Sequence, residues 1–212
     1  MTTPRFALLV PVKDGPGAKT RLGEVGDRAR AGLMAAFARD AVTAALRTPQ
    51  ARVYVVGDPV ALRPLFAGLD VTVVPDEGAG DLNRALARAS VRIGTPGQAT
   101  AAMLADLPCL RPDDLEEALT ISWESETRRY VADAAGTGTT LLAAPPGEEL
   151  DPRFGRDSAR AHAASGAQAI GGELASLRLD VDTTGDLRRA LRFGVGPHTA
   201  GAATALTAAS LD

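Results

Sequence analysis

Four short apolar runs, each closed by a turn, limit what this chain can fold into: residues 6–11, Val53–Val56, Val71–Val74 and Thr100–Ala105. The first, Phe6-Ala-Leu-Leu-Val-Pro11, is apolar at every position rather than at alternate ones, which marks a strand buried on both faces, as in a parallel sheet. Helical spacing fills the gaps between the runs. Glu24–Arg47 puts Leu33, Met34, Phe37, Ala41, Ala44 and Ala45 on one helix face, a shorter stretch turns Leu62, Leu65 and Phe66 inward, and Asp81–Ile93 reads as a third helix. This alternation predicts a doubly wound α/β fold: three layers, α/β/α, around a mostly parallel, Rossmann-like sheet.

The second half is less regular. Pro112 opens a helix with Asp113, Asp114, Glu116 and Glu117 in its first turns, where acid favours the helix dipole. Tyr130–Ala132, Thr139–Ala143 and Leu177–Val181 read as strands, Ser158–Ser165 and Thr184–Arg192 as helices, and Pro145–Arg156 as an excursion rich in Pro, Gly and acid. The expected organisation is one domain over 1–212, ending in a weakly ordered tail from about residue 194, read as a weak helix or frayed chain.

Composition excludes several classes. A net charge of -3 gives no general attraction to nucleic acid, and the single Cys109 excludes a disulfide framework or a Cys-rich zinc site. No signal peptide is expected at the N-terminus, and no apolar run reaches membrane-spanning length, so the expected location is cytoplasmic.

The loop after the first strand carries the first chemical signal. Among 23 Lys and Arg, only Lys13 and Lys19 are lysines, and both lie in this loop with Gly15, Pro16, Gly17 and Arg21. Lysine suits phosphate as a point charge, and glycine lets the backbone approach a ligand. The pattern is not a P-loop, because Ala18 and Lys13 stand where that motif needs glycine. It fits a looser phosphate cradle.

Three acids form the second signal. Asp106 directly follows the fourth strand, the end at which open α/β sheets bind ligands, and there it suits a divalent metal on nucleotide phosphates. A turn-forming Asp is the structural alternative. Asp180 and Asp182 alternate along extended chain, so both point to one side, where like charges favour a cation between them. The alternative has Asp182 or Thr183 capping the next helix, with Asp186 a dipole-favourable charge. Gly136-Thr-Gly-Thr-Thr140 and Phe154-Gly-Arg-Asp-Ser158 together suit a small acceptor bearing carboxylate or phosphate, through Gly155, Ser158 and a helix start. His162 is read as a satisfied structural histidine. Asn83, at the start of the third helix, is a candidate for hydrogen bonding a base or ribose, with a helix cap as its alternative.

Taken in order, Val10-Pro-Val-Lys13, Ala18-Lys-Thr-Arg-Leu22, Leu82-Asn83, Ala105-Asp-Leu-Pro108, the 136–140 loop, Phe154-Gly155 with Ser158 and His162, and Asp180-Val-Asp-Thr183 resemble the phosphoenolpyruvate / 2-phospho-L-lactate guanylyltransferase family, over roughly residues 6–190. The resemblance implies the nucleotide-diphospho-sugar-transferase-like fold shared with molybdopterin nucleotidyltransferases, and guanylyl transfer in the biosynthesis of coenzyme F-420. It implies Mg²⁺ as cofactor, with Asp106, Asp180 and Asp182 similar to the family's metal-binding acids. Thr140, Gly155 and Ser158 are similar to its acceptor-holding residues, and Lys19 falls on its basic loop. Lys19 and Asp106 are then the catalytic candidates, and Lys13, Lys19, Arg21 and Asn83 the nucleotide-binding ones. The implied partners are GTP and a small carboxylated phosphate, with neither nucleic acid nor membrane. Phosphoenolpyruvate is favoured; 2-phospho-L-lactate and 3-phosphoglycerate remain open, as does a homodimer. The rival readings are a molybdopterin or sugar-phosphate nucleotidyltransferase of the same fold and a non-enzymatic nucleotide-binding module. The three acids argue against the module, since sensing alone does not need them all.

Overall fold

A computed structural model describes residues 5–12 and 26–209. Its sheet has seven strands in the order β3-β2-β1-β4-β6-β5-β7. These are β1 (Phe6–Pro11), β2 (Ala51–Gly57), β3 (Thr72–Pro75), β4 (Ala99–Met103), β5 (Arg129–Ala132), β6 (Thr139–Ala144) and β7 (Gln168–Ala169). The helices are α1 (Asp27–Ala45), α2 (Pro59–Leu65), α3 (Leu82–Ile93), α4 (Pro112–Trp123), α5 (Ser158–Ala164), α6 (Ala175–Arg178), α7 (Thr184–Phe193) and α8 (Pro197–Ala209).

Strands β1 to β4 pair in parallel, β6 runs antiparallel to both β4 and β5, and β7 is parallel to β5. The expected mostly parallel sheet is therefore present, with one reversed strand. Reversal puts the start of β6 beside the end of β4, and the Leu104 N–H donates to the Thr140 carbonyl at 2.9 Å.

Burial follows the two-residue period of the strands. Phe6, Leu8 and Val10 enter one core with α1, α2 and α4, whereas Ala7 and Leu9 enter a second with α3, Leu150 and Phe154. An element covered on both faces has to be apolar throughout, as β1 is. Helix starts follow their residues too. The Asp58 and Asp81 side chains accept the Val60 and Arg84 amides, and Thr183 with Asp186 forms a reciprocal capping box on α7. Asp186, read as a mere charge, is thus part of a cap.

One expectation is corrected. Leu177–Val181 is not a strand: its first part is the end of α6, and residues 179–183 are irregular. Both sides of β5 are already taken, by β6 and β7, so no edge is available there. Asp114 instead accepts the amide and hydroxyl of Ser176, and Arg178 donates to the carbonyls of Ala132 and Ile170.

The tail, read as a weak helix or frayed chain, takes the helical alternative. Residues 197–209 form a helix packed on α1, and Asp40 of α1 accepts the His198 and Thr199 amides at 3.1 and 2.8 Å. This cap comes from a distant helix, so no local signal announces it. Gly196 is needed there, since a β-carbon would run into the Asp40 carboxylate.

A third apolar cluster joins α1 (Leu33, Phe37), the segment after β4 (Cys109) and residues 179–190 (Leu179, Val181, Leu187, Ala190). It packs the two acid-bearing segments together.

Candidate active site

The reversal of strand order between β1 and β4 is the place where open α/β sheets bind ligands. Asp106 leaves β4 at this crevice. The Val181 amide donates to the Asp106 carbonyl at 3.0 Å, which sets residues 180–182 alongside. Val181 is fully buried in the third cluster, so Asp180 and Asp182, one residue either side, turn the other way. The two-residue alternation read from the sequence holds, although the backbone is irregular.

The result is a cluster of three half-buried carboxylates, from Asp106, Asp180 and Asp182, with oxygens within 4.8 Å of one another. The donor set tests what they could hold. All three offer hard oxygen, none offers sulfur or imidazole, and their negative charges favour a cation among them. A hard divalent ion of the Mg²⁺ or Mn²⁺ kind fits, since such ions take one or two carboxylates together with phosphate oxygens and water.

Hairpin β5–β6 links this cluster to the other predicted residues. Its tip is shaped by Asp133, whose carboxylate accepts the Thr137 and Gly138 amides at 2.9 and 2.8 Å. The Ala134 amide reaches the Arg178 carbonyl, two residues before Asp180, and the Thr137 carbonyl accepts from Ala159 in α5. Sequence reasoning passed over Asp133; the spacing Asp133–Thr137–Gly138, a carboxylate a few residues before a Gly-rich turn, was its available signal. Thr140 is fully buried, and its hydroxyl donates to the Val131 carbonyl at 3.4 Å. Ser158 is buried as the first residue of α5, and Gly155 just before it is exposed at φ 134°, in the region that favours glycine. Lys13, Lys19 and Arg21 lie outside the described residues.

His162 is structural, as read. It is fully buried, and Nε2 accepts the Arg153 amide at 2.9 Å. A neutral ring then carries its proton on Nδ1 and donates to the Thr139 hydroxyl, also at 2.9 Å. Burial is the main reason its pKa falls to about 4; Arg153 and Arg128 push the same way, and Asp151 opposes them. Asp151 is itself lowered: burial raises it, but the paired Arg128 and Arg153 outweigh that. Cys109 is a buried packing residue whose thiol is pushed up to about 11 by burial, with Arg111 partly opposing.

Asn83, the candidate for a base or ribose, is the second residue of α3. Its side chain bonds the Phe154 backbone twice, donating to the carbonyl at 2.9 Å and accepting the amide at 2.7 Å. The helix cap considered for it belongs to Asp81. Asn83 also ends an open groove of about 580 Å³ between α3 and residues 147–152. None of the three clustered acids lines this groove.

Solved structures share the fold. A nucleotidyl transferase from Methanothermobacter superposes with a TM-score of 0.58 at 17% identity, over 89% of this chain and 97% of that one. Rv0371c from Mycobacterium tuberculosis, in complex with manganese, gives 0.52 at 24%, over 90% and 100%. The class is nucleotidyltransferase, shown by sequence relatives and a family model, and the sheet and its acid cluster fit that class. Those relatives include phosphoenolpyruvate guanylyltransferases of Streptomyces avermitilis, 51% identical over 95% of both chains, and Streptomyces coelicolor, 47% identical over 95% of this chain and 97% of that one. The family model described as "Guanylyl transferase CofC like" matches residues 6–201, and the chain belongs to that family.

Proposed function

We propose that this enzyme transfers GMP from GTP to phosphoenolpyruvate, releasing pyrophosphate, as a step in coenzyme F-420 biosynthesis in the cytoplasm. The convergence of Asp106, Asp180 and Asp182 at the β1/β4 switch of strand order, in a segment bonded to the β5–β6 hairpin, carries the reading. Relatives named for this reaction, at 47–51% identity over nearly the whole chain, support the choice of nucleotide and acceptor.

The acceptor phosphate is already an anionic nucleophile, so no strong base is needed. One of its oxygens forms a bond to the α-phosphorus of GTP, the bond from that phosphorus to the bridging α–β oxygen breaks, and the electron pair leaves with pyrophosphate. The barrier is the approach of one anion to another, so positioning and charge neutralisation are the main tasks. Asp106, Asp180 and Asp182 would hold Mg²⁺, which when bound supplies Lewis-acid charge to the phosphates. Lys13, Lys19 and Arg21 neutralise the triphosphate in this scheme. Thr140, Gly155 and Ser158 form the wall against which the carboxylated acceptor is held.

Pyrophosphate release tests the reading, measured with GTP, Mg²⁺ and each of phosphoenolpyruvate, 2-phospho-L-lactate and 3-phosphoglycerate, with mass detection of the guanylylated product. Phosphoenolpyruvate is expected to give the highest kcat/KM. Turnover only with CTP, UTP or sugar phosphates would refute it.

A further inference from the structure

We infer that Asn83 is a positioning residue for the acceptor, a latch that fixes the backbone carrying Gly155; the inference rests on the transfer reaction proposed above. The stretch from Asp151 to Asp157 belongs to no strand or helix, so its peptide groups must find partners elsewhere. Side chains supply them. The Arg153 amide goes to His162, and both backbone groups of Phe154 go to Asn83.

A side-chain amide presents one donor and one acceptor a fixed distance apart. It can therefore give a single residue the pair of bonds that a neighbouring antiparallel strand would give. An aspartate lacks the donor and a serine lacks the reach. Asn83 sits on the second residue of α3, which is anchored by buried Ala85, Leu86 and Ala89, so the latch is mounted on a rigid element. Phe154 is itself buried, with its ring edge-on to His162 at 5.2 Å.

What is latched has functional weight. Gly155 follows at φ 134°, and Asp151 and Asp157 adopt positive φ of 43° and 54° without being glycine. Such backbone persists only where its surroundings over-determine it, and it collects at ligand clamps. The latched peptide leads directly to Gly155 and then Ser158, the residues proposed above to hold the acceptor. Its loss should therefore be read in the acceptor and not in the nucleotide.

The test uses the full chain with Asn83→Ala and Asn83→Asp, the second retaining an acceptor for the Phe154 amide. Initial rates of pyrophosphate release should show the acceptor KM raised about tenfold or more in Asn83→Ala and by less in Asn83→Asp, with the GTP KM within about twofold. Amide exchange over residues 151–158 should quicken about tenfold in Asn83→Ala while α3 exchanges as before. Exchange needs no turnover. If the wild-type chain releases no pyrophosphate with any acceptor, the transfer reading fails, and exchange measured with and without phosphoenolpyruvate still decides the latch. An unchanged acceptor KM, an equal rise in the GTP KM, or α3 loosening together with the loop would overturn the inference.

Discussion

At the scale of single residues, the carboxylates carry the sharpest prediction. Asp180→Asn keeps the size of the side chain and removes one negative charge from the cluster with Asp106 and Asp182. Turnover at ordinary Mg²⁺ should fall about a hundredfold or more, with the circular dichroism spectrum and melting curve close to wild type. Full activity in this variant would remove the metal assignment. His162 gives a second residue-scale prediction, this one about stability. Its folded pKa of about 4 lies below the usual 6.5, so the unfolded chain takes up the proton first as the pH falls. The stability due to its neutral form is complete above pH 6.5 and is lost down to pH 4, by about 3 kcal/mol in all. Denaturant titrations across this window should show that slope in the wild type and a flatter one in His162→Gln. Equal slopes would mean the imidazole is not held neutral.

At the scale of elements, the start of α8 is tied to α1 chiefly through the Asp40 side chain. Asp40 is buried and serves two amides at the start of α8, while Arg39 beside it donates to His198. Asp40→Ala leaves both amides without that partner, and the expected loss is about 2 kcal/mol, or several degrees in Tm. Thermal denaturation checks it, and an unchanged Tm would show that α8 contributes nothing to the folded core. The same elements explain what was legible. The strands of the first half could be read because each is a short apolar run between turns. Helix α3 could be read because Ala85, Leu86 and Ala89 share a face. Leu177–Val181 could not. Its leucines and valine have strand-like spacing, but the segment is held by side chains, Ser176 by Asp114 and Arg178 on the Ala132 and Ile170 carbonyls, and β5 is already flanked by β6 and β7. Helix α8 could be read only as a weak helix or frayed chain, because its sequence is nearly all small residues with no apolar stripe and its cap lies on another helix.

At the scale of the whole molecule, the acid cluster joins segments far apart in sequence, so filling it should hold them together. Adding Mg²⁺ or Mn²⁺ at about ten times its dissociation constant should stabilise the fold by about 1.4 kcal/mol, seen as a rise in Tm that chelation reverses and Asp180→Asn abolishes. A metal-independent Tm in the wild type would count against a resident ion at this place. No described helix is long and apolar enough to cross a membrane.

The chain by itself determined the strand–helix rhythm, the acids placed at the ends of extended runs, and the family resemblance, because each is written in local spacing or in residue type. Only the tertiary structure decided which of these meet. One backbone bond from Val181 to Asp106 and a shared apolar cluster bring the acids side by side, and Asn83 is turned to the Phe154 backbone. The physical reason is that a side chain's partner is whatever packing brings within hydrogen-bond reach, and for these residues that partner lies tens of positions away along the chain.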